Sequence, residues 1–255
     1  MMVRKSSFML GAVVLLLIVG TPLHAGGWVV VTLDALPAQV YAGEAIQLGF
    51  SVRQHGQTLV NLGDPGPAVV AHQTQTGERV EAVATQTSFT GYYTATLTLP
   101  TPGLWAWQIE PQPFNTVATM PDLTVHTRQQ PTIVAAKGNH PFYQWLASVQ
   151  AWLSQWHNQP VVAMAATEKV AVASQGQKLF LAKGCASCHH HEAVVTTWSA
   201  QSGPDLTHYD KSATFLQLWL ADPAAVKPTT EMPNLQLSQA EIEALTDFLT
   251  NPGNQ

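Results

Sequence analysis

Between Gly91 and Ile109 the chain alternates with a period of two. Tyr93, Ala95, Leu97 and Leu99 share one parity, and Thr94, Thr96 and Thr98 the other. A helix would bring apolar residues round every three or four positions, so this stretch buries one face only as an extended strand. "PTPG" at 100–103 supplies a turn, and Trp105, Trp107 and Ile109 carry the alternation along the return strand. "AIQLGFSV" repeats it, with Ile46, Leu48, Phe50 and Val52 on one side. "WVVVTLD", "PAVVAH", "VEAVAT" and "NTVATMPDLTV" complete a set of about seven short strands, which predicts an all-β domain over residues 26–127.

About seven strands with turn signals between them are the count of an immunoglobulin-like sandwich. No cysteine lies in this half, so packing alone has to hold its core. Gly91, Tyr93, Ala95, Leu97, Pro100, Gly103 and Trp105, and more loosely "AGEAIQLGFSV", resemble the YtkA-like and FixH-like family of small exported β-sandwiches. The resemblance implies a fold and carries no chemistry. His55, His72, His126 and Met120 raise a copper site as one reading, since exported copper carriers use His and Met. No H-x-H or M-x-x-M spacing pairs them, and scattered surface histidines are the competing reading.

The segment before this domain reads "MMVRKSSFMLGAVVLLLIVGTPLHA". Arg4 and Lys5, an uncharged run from Phe8 to Gly20, then Pro22 and Ala25 have the layout of a secretory signal peptide over residues 1–25. An uncleaved N-terminal anchor is the alternative. Export predicts the periplasm or the outer face of the cytoplasmic membrane as the location. Without this segment nine Lys and Arg face 16 Asp and Glu, a net charge of −7. Such a surface argues against nucleic acid and anionic lipid as partners. Residues 128–173 are expected to form a Trp-rich helix and linker. Phe142, Leu146, Val149, Leu153 and Trp156 recur at helical spacing, with Trp145 and Trp152 widening the stripe. "NQPVVAMAATEKVAVAS" then reads as linker, so the halves on either side are expected to be separate domains.

From 174 to 255 the period changes to that of helices. "SQGQKLFLAKG" predicts a short helix with Ser174 as cap and Gly184 as stop. "ATFLQLWLADP" predicts a second, closed by Pro223. "LSQAEIEALTDFLTNPG" predicts a third, with Ser238 and Glu241 as a capping box. Both cysteines of the chain stand in "GCASCHHHEA", as Cys185-Ala186-Ser187-Cys188-His189. C-x-x-C-H is the attachment pattern of a c-type haem. A single turn puts both sulfurs on one side for thioethers to the vinyl groups, and His189 follows as an axial ligand. A thioredoxin-like dithiol would want a βαβ context, and a zinc site would want a second ligand pair. A disulfide would close too small a ring to stabilise much.

The flanking residues, "GQKLFLAKGCASCHHHEA", "SGPDLTHY" and "FLQLWLADPAAVKPTTEMPNLQLSQAEIEALTDFL", resemble class I monohaem cytochromes c, especially the domains of respiratory chains and oxidase subunit II fusions. The resemblance covers 174–255 and implies an all-α domain in which Gly176 and Phe180 cross Leu245 and Phe248. It implies that the Pro204 carbonyl orients the ligand histidine, and that one covalent haem c is bound. Met232, the only methionine after Cys188, lies in the matching distal-ligand loop, with His208 as competitor. Tyr209 and Trp219 are candidate donors to the haem propionates, a core role competing for Trp219. His190 and His191 are expected to be solvated loop residues. With His189 and Met232 on the iron no position is left for substrate, so the chain reads as an exported respiratory electron carrier and not an enzyme. Redox proteins are the expected partners, a membrane oxidase or reductase complex among the candidates. The alternative is an assembly or copper-delivery factor of a terminal oxidase, working through its sandwich.

Overall fold

The computed structural model describes residues 27–128 and 175–251. The expected signal peptide, the Trp-rich helix with its linker, and Ser174 lie outside them. Residues 27–128 form a β-sandwich of two five-stranded sheets. The first joins β1 (Val29–Leu33), β3 (Ala45–Gln54), β8 (Tyr92–Thr98) and β7 (Thr85–Gln86) in that order, with β4 (Thr58–Leu59) also on β3. The second runs β2 (Val40–Tyr41), β10 (Ala118–His126), β9 (Gly103–Glu110), β5 (Ala68–Gln73) and β6 (Arg79–Val83). Every pairing is antiparallel except β2 with β10. The seven expected strands are all present, and the three additional ones are two-residue pieces too short to leave a period in the sequence.

The alternation read from the sequence decides the core. Along β8, Tyr93, Ala95 and Leu97 are buried and the threonines between them exposed. Phe50 stacks on Tyr93 with ring centroids 5.8 Å apart, and the Tyr93 hydroxyl accepts a hydrogen bond from the Leu62 amide at 2.6 Å. Trp105 is fully buried. The register slips between Met120 and Leu123, where Pro121 has no N–H for the ladder. The Pro121 carbonyl freed there accepts from Trp107 Nε1 at 2.7 Å.

In the second half, helix α1 covers 175–182, followed by a 3-10 turn at Cys185–Ser187, then α2 (Ala213–Ala221), α3 (Pro223–Val226) and α4 (Gln239–Thr250). The expected signals are in place. Ser238 and Glu241 close a capping box on α4. Pro223 ends α2 and opens α3, where its missing N–H costs nothing. α1 crosses α4 at Gly176, where any side chain would run into the Ala244 carbonyl and Phe248. Phe180 meets Phe248 edge-on at 6.0 Å. Among the described residues no helix is long and apolar enough to cross a membrane.

The two halves share an interface that their separate periodicities do not announce. Strand β1 is buried at all five positions. Val29, Val31 and Leu33 enter the sandwich core, while Val30 and Thr32 point the other way, towards the end of α1. Lys183 follows α1 directly, and its side chain is only 6 % exposed. Its Nζ donates to the carbonyls of Leu33 at 3.0 Å and Asp34 at 2.8 Å, and pairs with Glu241 Oε1 at 2.8 Å. All three ammonium hydrogens therefore have an acceptor, two from the sandwich and one from α4.

This pair makes stability depend on pH. Burial raises the Glu241 carboxyl, but hydrogen bonds from Lys183 and Ser238, with the Lys183 charge, outweigh it and hold the group below 4.5. A carboxylate depressed on folding adds stability at neutral pH, and loses it as pH falls through the folded value. Asp34 shifts up, by burial against the opposing pull of Lys183, and so works in the reverse sense. Glu241→Gln should lower stability at pH 7 by about 2 kcal/mol, because Lys183 keeps two of its three acceptors. In denaturant titrations the gap to wild type should close as pH is taken below 4.5. A gap that stays constant with pH would deny the ion pair its part.

Candidate haem-binding site

Gly184 begins the site. It adopts φ +79° and caps the 3-10 turn, a left-handed conformation that glycine takes without strain. The single turn expected from the sequence is of the tight 3-10 kind. In a 3-10 turn residues three apart eclipse, so Cys185 and Cys188 project to the same side. The Cys188 and His189 amides both donate to the Cys185 carbonyl, at 3.1 and 2.9 Å, and lock the loop.

Both thiols are free. Burial, reinforced by the neighbouring Cys188, pushes Cys185 up to about 12. Cys188 is also raised by burial, against a hydrogen bond from Ser202 that lowers it. Redox-active dithiols sit where their surroundings depress the pKa. Here the surroundings do the opposite, and the thioredoxin reading loses its chemistry.

His189 Nδ1 lies 2.9 Å from the Pro204 carbonyl. A carbonyl can only accept, so Nδ1 carries the hydrogen and Nε2 keeps its lone pair for a metal. Burial lowers the His189 pKa and outweighs the opposing effect of that hydrogen bond, which favours the neutral, ligating form. Gly203 lies against the imidazole so closely that a Cβ there would collide with the ring. The SGP sequence at 202–204 thus presses one face of the imidazole and ties its far nitrogen.

Met232 lies in the loop between α3 and α4. Its amide donates to Thr230 Oγ1 at 3.1 Å, and Asn234 Nδ2 ties the same loop to the Ala221 carbonyl at 3.2 Å. Trp219 Nε1 stands 2.8 Å from Met232 Sδ, a contact across 13 residues that no local spacing announces. The Tyr209 hydroxyl is buried with no hydrogen-bond partner among the described residues. Burial and Asp210 both raise its pKa, so it stays a protonated donor, suited to an anionic propionate. Two same-side thiols, a neutral imidazole with a free Nε2, a thioether and an orphaned phenol fit a c-type haem, which supplies iron that cycles between ferrous and ferric.

His190 is exposed, with Nε2 4.0 Å from Asp205 Oδ2, and His208 is exposed too. The expectation of a solvated His191 is corrected. This residue is 1 % exposed, with its ring centroid 4.5 Å from Phe248 and 5.9 Å from Phe180. The turn after His189 carries it beneath α4, and an imidazole is flat enough to fill an aromatic layer there. In the sandwich, Met120 is buried in the core, His72 lies within β5, His126 ends β10 and His55 packs on Trp28. The structure does not bring these four together. Among the described residues no group of three or more His, Cys, Asp or Glu could hold a metal ion.

Comparison with known proteins bears on the helical half and adds little on the sandwich. No curated protein matches the chain. A variant superoxide reductase (neelaredoxin) from Ignicoccus hospitalis is 15 % identical to this chain over 40 % of its length and 83 % of its own, with a TM-score of 0.26. A likeness so low carries no argument. The family model for cytochrome c matches residues 173–251, the segment holding Cys185, Cys188, His189 and Met232. The C-terminal part of this chain is a cytochrome c domain, and its cofactor is covalently bound haem c.

Proposed function

We propose that this chain is an exported electron carrier of a respiratory chain, passing single electrons through one haem c whose iron is held by His189 and Met232. The observation that carries the reading is the pairing of a neutral, Pro204-oriented imidazole with a thioether held by Trp219. A thioether prefers ferrous iron and raises the potential, and two protein ligands leave no position for substrate. Electron transfer therefore suits this site better than catalysis. The uncharged run of residues 8–20 supports export to the periplasm or the outer membrane face. The acidic surface favours redox proteins as donor and acceptor, a membrane oxidase or reductase complex among them. The β-sandwich, read as immunoglobulin-like and YtkA/FixH-like, would serve as the docking or assembly module.

Attachment and ligation are tested separately. Cys185→Ala or Cys188→Ala should sharply reduce haem that survives a denaturing gel, because one thioether of two is lost. Wild type without covalent haem, after expression with maturation machinery, would remove the central claim. Met232→Ala should lower the potential, let carbon monoxide bind the ferrous form and abolish the weak sulfur-to-iron band in the far red. Met232→His should stay low-spin at a lower potential. An alanine variant with an unchanged spectrum would move the distal ligand elsewhere, with His208 next in line.

A further inference from the structure

The outward row of β1 poses a question that the haem site does not answer. In a free sandwich Val30 and Thr32 would face water, as would Arg53 and Ser51, their partners on β3. Yet Val30 is 3 % exposed, Thr32 6 %, Ser51 3 % and Arg53 8 %. The contacts from the row reach the helical half at successive points. Trp28 meets Trp198 with ring centroids 5.9 Å apart. Val30 lies against Gly184, where a Cβ would run into its side chain and the Val31 carbonyl. Thr32 Oγ1 donates to the Lys183 carbonyl at 3.4 Å.

The cover extends past the strand. A Cβ on Gly56, in the turn after β3, would sit 3.5 Å from the second Val30 methyl and 4.0 Å from Pro233. Thr119 and Thr197 face each other with hydroxyls 3.1 Å apart. The residues touched have one thing in common. Gly184 precedes Cys185, Pro233 follows Met232, and Thr197 and Trp198 lie in the loop that leads from His189 to Gly203. The sandwich thus contacts the cysteine loop and comes close to the methionine loop, which carry the candidate haem anchors.

We propose that the β-sandwich is a built-in wall of the haem crevice. The outward face of β1 and the turn at 55–57 occupy the surface between the Cys185 and Met232 loops, through which a separate protein would otherwise reach that edge. Electron exchange across this edge is governed by the sandwich. The proposal rests on the reading of Cys185, Cys188, His189 and Met232 as haem anchors.

The test uses the full-length holoprotein with Val30→Glu, which places an unpaired carboxylate in the interface, and Trp28→Ala as a milder, neutral variant. Neither residue belongs to the haem-binding set. Amide hydrogen exchange reads the rims at 183–185 and 232–235, and hexacyanoferrate(III) at high ionic strength, where charge is screened, reads access to the ferrous haem. Both rims should lose protection together, and oxidation should speed up by about tenfold in Val30→Glu and by less in Trp28→Ala. Lost protection with an unchanged oxidation rate would mean that the wall stands away from the electron-exchange edge, and would overturn the proposal. Unchanged protection in both variants would overturn it by showing that the sandwich does not rest on the rims. A wild type without covalent haem on a denaturing gel would defeat the functional reading instead, and hydrogen exchange on that same chain would then decide whether the sandwich covers the cleft.

Discussion

One ammonium group organises the meeting of the two halves. Taking a lysine out of water costs several kcal/mol unless its hydrogens are all received, and Lys183 gives its three to Leu33, Asp34 and Glu241. Two of those acceptors are backbone carbonyls, fixed once β1 has formed. The third is the carboxylate that also caps α4. The residues around it follow suit. Ala182 packs in the sandwich core, and Leu36 packs against both cores. Gly184 can then lie flat on β1 in its left-handed conformation, and the cysteine turn starts from a point anchored on the sandwich.

The site built on that point separates two tasks. Gly184 and the 3-10 turn set where the sulfurs point. Gly203 and Pro204 set how the imidazole faces, one by leaving no room and the other by accepting its proton-bearing nitrogen. In the methionine loop Trp219 fixes the Met232 side chain by an N–H directed at its sulfur. His191, just after the cysteine turn, packs with the aromatic pair of Phe180 and Phe248 and so ties that turn to α1 and α4. An electron carrier gains from such rigidity, because geometry that changes little between oxidation states leaves little to reorganise.

The β-sandwich gives this domain a neighbour it cannot shed by simple diffusion. Their interface mixes a buried lysine bonded to two strand-end carbonyls, a tryptophan pair and close backbone approach, so it is directional as well as apolar. A flexible tether alone would have left Val30 and Thr32 exposed to water.

The strands, the helix caps and the C-x-x-C-H turn were legible in the sequence because each is a local signal. A strand declares itself by its own alternation, a cap by a side chain three residues from its partner, and a haem attachment turn by the spacing of its ligands. Met232 stood out by counting as a candidate ligand, and the Pro204 contact to His189 was implied by family resemblance. His191, Lys183 and the outward row of β1 were not. Periodicity tells which residues of an element share a face, but not what arrives to cover that face. His191 reads as a polar loop residue until α4 is laid over it, and Lys183 as a surface charge until β1 supplies two carbonyls. Thr32 looks like the solvent side of a strand until the end of α1 meets it. The sequence by itself determined two folding patterns and one haem-attachment motif. Tertiary structure alone decided that the sandwich lies against the end of α1 and the turn that follows, because burial of an outward face depends on residues about 150 positions away in the chain.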